Sequence, residues 1–475
     1  MSKQTKISFG ETMLKTRNFY ALKRVFSTQK ANNPQICIVG AGPAGFYAAQ
    51  HFVKKLGHAQ IDIYERLPVP FGLVRFGVAP DHPDVKNVIH TFTKTAKNPN
   101  VRFIGNVNLG TDVSLEQLRK FYHVVVLAYG ADENRTLNVK GETLANVIPA
   151  RQIVGWYNGL PWNSDLNINL DGETAVIIGQ GNVAIDVARI LMTPIDELRK
   201  TDITSFALEQ ISRSKIKKFY LIGRRGPLQA AFTIKELREM LKLGGCSTVW
   251  RKEDFEGVAA HIPNLPRPKK RITELMLKSL EEQKPPSGKI FNPVFLRSPL
   301  EFRGNNKVEG VVLGVNELEG EDMLNRKAVL TKETENLKCD LGITSIGYKS
   351  VQADPTLPFD NSRGVVLNTN SRVDKGLYVA GWLGTGPVGV ILTTMSNAFG
   401  VAEIVVNDIH KQKLDEVSKP GFEEAKKILD KKGVEAIDWF GWEKIDKCEV
   451  NEGKKVGKPR EKIVDIRKMI QIAQS

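Results

Sequence analysis

Pro34-Gln-Ile-Cys-Ile-Val-Gly-Ala-Gly-Pro-Ala-Gly45 is the stretch that decides the fold. Ile36 to Val39 form a short apolar run of buried-strand type. Gly40, Gly42 and Gly45 follow at GxGxxG spacing, and a helical pattern runs on from Phe46 to Lys55. Strand, glycine turn and helix together are the context this motif needs. Gly40 permits the tight turn, Gly42 admits a pyrophosphate to the backbone, and Gly45 lets helix and strand pack closely. The helix N-terminus then offers unpaired N–H groups to phosphate. Working outward, a second strand, Ile61 to Tyr64, ends in Glu65, 20 residues after Gly45. A carboxylate there accepts hydrogen bonds from adenosine ribose hydroxyls.

The pattern recurs with opposite electrostatics. Thr174 to Ile178 is a second apolar strand, followed by Gly179-Gln-Gly-Asn-Val-Ala184 and a helical run to Met192. The next strand, Lys218 to Ile222, ends in Gly223-Arg-Arg225. Paired guanidinium groups at the ribose-reading position bind a 2′-phosphate that a carboxylate would repel. The second unit therefore reads as a site for NADP, not NAD. The spacing from Ala184 to Arg224 is 40 residues, and the surplus, Thr193 to Arg213, reads as a helical insertion. The alternative for Arg224 and Arg225 is a solvated basic turn. Two nucleotide sites of contrasting charge in one chain suggest FAD in the first and NADPH in the second, with the cofactors carrying the chemistry.

The fold class is accordingly α/β: two Rossmann-like three-layer units, the NADP unit inserted into the FAD unit. The 475 residues are divided as a leader (1–33), a first FAD segment (34–132), the NADP unit (133–346) and a second FAD segment with a C-terminal arm (347–475). Residues 411–432 and 443–462, rich in Lys and Glu, read as surface helices and an arm. Residues 1–33 hold seven basic residues against the single acid Glu11, so +6 of the formal +15 lies there. A basic, amphipathic, acid-poor leader has the composition of a mitochondrial transit segment, the alternative being a disordered basic arm. It places the protein in the mitochondrial matrix, either free or peripheral at the inner membrane. No apolar run is long enough for a transmembrane helix. Cys37, Cys246, Cys339 and Cys448 form no CxxC pair, so a zinc site, a cysteine-held iron–sulfur cluster and a redox dithiol are not expected, and no metal is.

Between the fingerprints runs Pro68-Val-Pro-Phe-Gly-Leu-Val-Arg-Phe-Gly-Val-Ala-Pro-Asp-His-Pro-Asp-Val-Lys-Asn87. This run resembles the mitochondrial NADPH:adrenodoxin (ferredoxin) oxidoreductases. The likeness continues through Gly155–Pro161, Gly179–Ala184, Gly223–Gln229, Phe232–Glu239 and Ser345–Ser350, and ends at Gly457-Lys-Pro-Arg-Glu-Lys462. The resemblance implies a two-domain flavoprotein in which NADPH passes a hydride to FAD, which gives single electrons to an acidic [2Fe-2S] ferredoxin. It implies Ala44, Glu65, Leu73 and Leu109 at FAD, and Gln180, Gly181, Asn182, Val183, Arg224, Arg225 and Glu236 at NADP. Glu236 would accept from an adenosine hydroxyl or steady the arginines. Leu377 to Trp382, a strand, and Gly386 to Ile391 would form the flavin end, with Trp382 beside the cofactors. Gly389 would leave room for the nicotinamide, and Val390 and Ile391 would open a helix to Asp408. Leu383-Gly-Thr385 stands where the family has a basic pair. His82 and Asp186 fall in family motifs near the cofactor junction, as tuning or proton-relay groups.

Arg238, Arg267, Lys269, Lys270 and Arg271 are expected to form one basic face for the ferredoxin, joined by Lys54 and Lys55. Two other readings compete. One is another NADPH-dependent flavin module of glutamate-synthase type, which the lack of clustered cysteines disfavours. The other is a non-catalytic nucleotide-binding protein. Its use of nucleic acid is disfavoured because aromatic and basic residues are not interleaved.

Overall fold

The computed structural model describes residues 33–389, 391–414 and 417–475. The leader, except Asn33, lies outside the described residues, as do Val390, Asp415 and Glu416. Two six-stranded sheets organise the chain. The first runs, in spatial order, Arg372–Asp374, Leu377–Val379, Val124–Leu127, Gln35–Val39, Gln60–Tyr64 and Val101–Ile104. All neighbours are parallel except the edge strand Arg372–Asp374. The second runs Val147–Pro149, Leu341–Thr344, Thr174–Ile178, Lys218–Ile222, Lys289–Val294 and Cys246–Thr248, all parallel. Residues 147–344 thus stand between the two contributions to the first sheet.

Parallel strands are buried on both faces, which is why the strands Gln35–Val39 and Thr174–Ile178 are continuous apolar runs. In both sheets the order reverses beside the glycine-bearing strand, between Gln35–Val39 and Val124–Leu127 and between Thr174–Ile178 and Leu341–Thr344. Ligands of open α/β sheets sit at such a switch point, at the strands' carboxyl ends. Two cores of comparable size lie on the two sheets, and each borrows from the other. Ala79 packs in the core of the second unit, and Leu160 in that of the first.

Three features differ from the sequence reading. A three-stranded antiparallel sheet, Arg297–Arg303, Gly310–Glu319 and Lys327–Lys338, stands between the last two segments of the second unit. The segment 443–462 is not a surface arm. The helix Trp439–Lys455 buries Trp442, Ile445 and Glu449, and Lys458 and Lys462 beyond it are buried too. Glu449 and Lys462 have partners of opposite sign from distant segments, and Lys458 has Glu461 three residues on, pairings that composition alone does not reveal. Finally, the strand Leu377–Val379 stops short of Trp382, which begins a four-residue helix, Trp382–Thr385, that also takes up the Leu383-Gly-Thr departure.

Candidate functional sites at the two switch points

The first glycine turn is fixed by backbone contacts. Gly40 has φ +111°, donates its N–H to the Tyr64 carbonyl at 2.7 Å, and has the Ala128 carbonyl where a Cβ would sit. Gly45 lies against the Gly40 carbonyl oxygen, 2.0 Å from where a Cβ would stand. The helix Pro43–Lys55 has Gly42 at its N-cap with no side-chain cap and no acid in its first turn. At Gly42 a Cβ would meet nothing nearer than Gly72 Cα at 4.0 Å, so the approach to these N–H groups is open. Phe71 N–H donates to the Ala41 carbonyl at 2.8 Å, holding the Pro68–Asn87 run against the turn.

Glu65 sits at the end of the second strand with Oε2 accepting from Ala41 N–H at 3.0 Å and Oε1 from Leu67 N–H at 3.2 Å. Burial pushes its carboxyl up while these N–H groups pull it down. Ala44 is buried and faces Gly381, whose N–H donates to Asn397 Oδ1 at 2.7 Å. Trp382 follows directly. Its indole lies 6.2 Å from the Tyr348 ring, and its buried Nε1 has no hydrogen-bond partner among the described residues. Gly389 has φ +88°, and a Cβ there would meet Thr393 Oγ1 at 2.2 Å. Ile391 opens the helix Ile391–His410 and packs on the first core. Leu73, within the run, is half-buried, and Leu109 is buried in a smaller cluster on the opposite face of the sheet.

The second switch point opens into a cleft of about 590 Å³. Gln180, Gly181, Arg224 and Arg225 all line it. The helix Asn182–Met192 again has an uncapped glycine, Gly181, and a Cβ there would meet nothing within 4 Å. Gln180 lies across Gly223, donating to the Val294 carbonyl at 3.1 Å. Among the described residues neither Arg224 nor Arg225 has an acidic partner, and burial together with Arg224 holds the Arg225 guanidinium below its ordinary range. Two adjacent, unpaired cations form a site that awaits an anion. Sequence reasoning missed Arg297 and Ser298, which approach the same cleft from the antiparallel sheet. Asn182 and Val183 are engaged elsewhere: Asn182 Oδ1 accepts from Thr233 N–H at 2.8 Å, and Val183 packs on the core.

Glu236 does not sit with the arginine pair. Its Oε2 lies 3.2 Å from Arg189 Nη1 in a buried cluster with Asp81, His82, Asp186 and Glu239. His82 Nε2 is 2.7 Å from Glu239 Oε2 and 3.1 Å from Arg189 Nη2. His82, Glu236 and Glu239 are close enough to hold a metal ion, but the Arg189 guanidinium already lies within 3.1–3.6 Å of all three. It supplies the positive charge that the carboxylates require. Burial, then the facing Asp186 carboxylate, push the Glu236 carboxyl up to about 8 from an ordinary 4.5. A raised folded-state pKa confers stability at low pH that is lost as pH rises through about 8. Asp186→Asn removes the second of these causes. The apparent melting temperature of the variant is expected to fall less than that of the wild type between pH 4.5 and about 8, as measured by calorimetry. Parallel pH profiles would refute the assignment.

On the outer surface Arg238 is exposed on the helix Ile234–Leu241, and Arg267 and Arg271 are exposed on the neighbouring helix Arg267–Glu281, with Lys270 half-buried. Lys269 turns inward and donates to the Ala230 carbonyl at 2.5 Å, close to Arg225. Lys54 and Lys55 end the helix Pro43–Lys55.

An open anion cradle beside an acid-marked one defines an NADPH-dependent oxidoreductase with two nucleotide-binding units. Residues 38–104 match the model of an NAD(P)-binding Rossmann-like domain. The NADPH:adrenodoxin oxidoreductase of Drosophila melanogaster is 53% identical over 92% of this chain and 93% of its own length. The human protein of that name is 48% identical over 94% and 93%. Mycobacterium tuberculosis FprA in complex with NADPH superposes with a TM-score of 0.89, at 36% identity, over 93% of this chain and all of that one. The chain belongs to the NADPH:adrenodoxin oxidoreductase family, and it is a mitochondrial enzyme.

Proposed function

We propose that residues 34–132 with 347–475 hold FAD, that residues 133–346 hold NADPH, and that electrons leave one at a time to a [2Fe-2S] ferredoxin. The observation that carries this is the contrast between Glu65, anchored by two N–H groups, and the unpaired Arg224 and Arg225. Bound FAD supplies the conversion of one hydride into two single electrons.

The chain's own residues bind, orient and exclude water. Gly40, Gly42 and Gly45 bring the uncapped helix to a pyrophosphate, and Glu65 takes the ribose hydroxyls of the first nucleotide. Arg224 and Arg225 take the 2′-phosphate of the second, with Arg297 beside them. Trp382 Nε1, a buried donor without a partner among the described residues, would donate to a polar group of a bound ligand. Gly389 sits at φ +88°, a conformation that favours glycine, and a Cβ there would run into Thr393 Oγ1. Pushed up to about 8 by burial and the facing Asp186, the Glu236 carboxyl holds a proton at neutral pH.

Arg238, Arg267, Lys270 and Arg271 steer an acidic ferredoxin, while Lys269 serves the edge of the nucleotide cleft. The test is a stopped-flow and steady-state comparison across ionic strength. Raising salt is expected to slow ferredoxin-dependent cytochrome c reduction severalfold and to leave flavin bleaching by NADPH nearly unchanged. Equal sensitivity of the two steps would sink the docking face. A colourless protein that takes up no FAD would sink the whole reading.

A further inference from the structure

Two motifs remain unused by nucleotide binding: the charged residues of Pro68–Asn87 and the run Gly457–Lys462. The structure brings them together. Arg75, Asp81, His82 and Lys86 each pair with a different segment: Glu449, Arg189, Glu239 and Asp202. Beyond the helix Trp439–Lys455 the chain folds back on itself, with Gly453 tight against Arg460 and Glu461 N–H donating to the Glu449 carbonyl at 2.9 Å. The returning segment is rooted in the first unit, since Trp442, Ile445, Ile463 and Met469 pack in its core. From there it reaches into the helical insertion of the second unit.

At the point of contact Asp202, from that insertion, lies between two ammonium groups. Lys86 Nζ donates to its two carboxylate oxygens at 2.6 and 2.8 Å, and Lys462 Nζ lies 3.0 Å from Oδ2. Lys462 Nζ also donates to the Asp202 carbonyl at 3.3 Å. The Lys462 side chain is 1% exposed and that of Asp202 is 11% exposed. Next to Lys462, Glu461 grips the first turn of the helix Ser205–Ser212, three residues after Asp202: Ser205 N–H donates to Oε1 at 2.8 Å and Ser205 Oγ to Oε2 at 2.7 Å, and Lys458 closes on the same carboxylate. Glu449, fully buried, is bound by Arg75, by Arg460 at 3.1 Å and by Ile463 N–H at 3.0 Å. Glu449 and Lys462 are matched by Arg75 and Asp202 across segment boundaries, and Lys458 is matched within the returning segment by Glu461, which in turn holds Ser205. Buried ions are held only where geometry satisfies them, so the contact admits one relative placement of the two units.

We infer that Gly457–Lys462, with Lys86 and Asp202, is a clasp that fixes the NADP unit against the FAD unit in the orientation hydride transfer requires. Lys86, Asp202 and Lys462 are positioning residues: they do not line the cleft of Arg224 and Arg225, and they act through the angle between the units. Hydride transfer is steeply sensitive to sub-ångström placement, and binding is not. The clasp therefore governs rate rather than affinity. This inference rests on the cofactor assignment proposed above.

The test uses the full-length holoenzyme and the variants Lys462→Met and Asp202→Asn. The rate of flavin bleaching at saturating NADPH is expected to fall by about tenfold or more, while NADP⁺ affinity, set in the distant cleft, changes less than about twofold. A fall in rate of less than about threefold overturns the clasp, and so does a fall matched by an equal loss of NADP⁺ affinity. If neither variant folds, the same comparison is read on Glu461→Gln, whose side chain is partly exposed. If the wild type takes up no FAD, the cofactor assignment fails instead. Small-angle scattering then decides the clasp: a broadened distance distribution in the variants supports it, and identical curves overturn it.

Discussion

Replacing Arg224 and Arg225 together by alanine is expected to abolish the preference for NADPH over NADH. Charge-assisted hydrogen bonds contribute roughly 1.5–3 kcal/mol each. Losing two such contacts costs about 3–6 kcal/mol, or roughly two to four orders of magnitude in kcat/KM for NADPH. The value for NADH, which lacks the 2′-phosphate, should move by no more than a few-fold. The reason lies in the free protein. Neither guanidinium has an acidic partner among the described residues, and Arg224 depresses its neighbour. Removing the pair relieves repulsion, so the melting temperature of the apoprotein should hold or rise slightly. Steady-state kinetics with both coenzymes, alongside a thermal melt, check this. An unchanged coenzyme ratio would mean that the cleft recognises its ligand by other groups, Arg297 first among them.

Gly45→Ala is expected to yield a protein with little or no bound flavin. An added Cβ would stand 2.0 Å from the Gly40 carbonyl oxygen and 3.2 Å from Ile38 Cγ2. The carbonyl cannot give way. Gly40 is held at φ +111°, its N–H is bound to Tyr64 at 2.7 Å, and the Ala128 backbone blocks its other side. The helix Pro43–Lys55 must therefore move off the strand, taking its N-terminal N–H groups from the pyrophosphate position. Overpacking of this kind costs about 1–3 kcal/mol in stability. The larger effect is on flavin content, which should fall below about a tenth of wild type because binding needs both the helix and the turn in place. Gly57→Ala, where a Cβ would meet nothing within 4 Å, is the control and should stay yellow. The ratio of flavin to protein absorbance after purification measures both.

Both substitutions act on features legible in the sequence, and the reason is physical. A glycine turn between strand and helix is a local backbone requirement, written within about thirty residues and readable wherever it occurs. The acid after the first unit's second strand and the arginines after the second unit's are likewise fixed by strand length and register. Even the helical insertion that doubles the second spacing is visible, as 195–198 and 205–212. The site was less legible where a residue's partner is remote. Glu236 looked like a neighbour of the arginines, yet a buried guanidinium from another helix claims it. Lys269 looked like part of the outer face, yet it turns to a carbonyl.

The sequence by itself determined two largely parallel sheets, the glycine turn that opens each and the nesting of one in the other, because periodicity, glycine spacing and strand-end residues act locally. The tertiary structure alone decided which charges are paired. Lys458 and Lys462 read as solvated because a lysine in a polar run normally is. They are buried because Asp202, far away in the chain, meets Lys462, and because Glu461, which pairs with Lys458 three residues before it, is held by the equally distant Ser205. Complementarity between charges so distant leaves no period or spacing in the chain, and it exists only once the two units have come together.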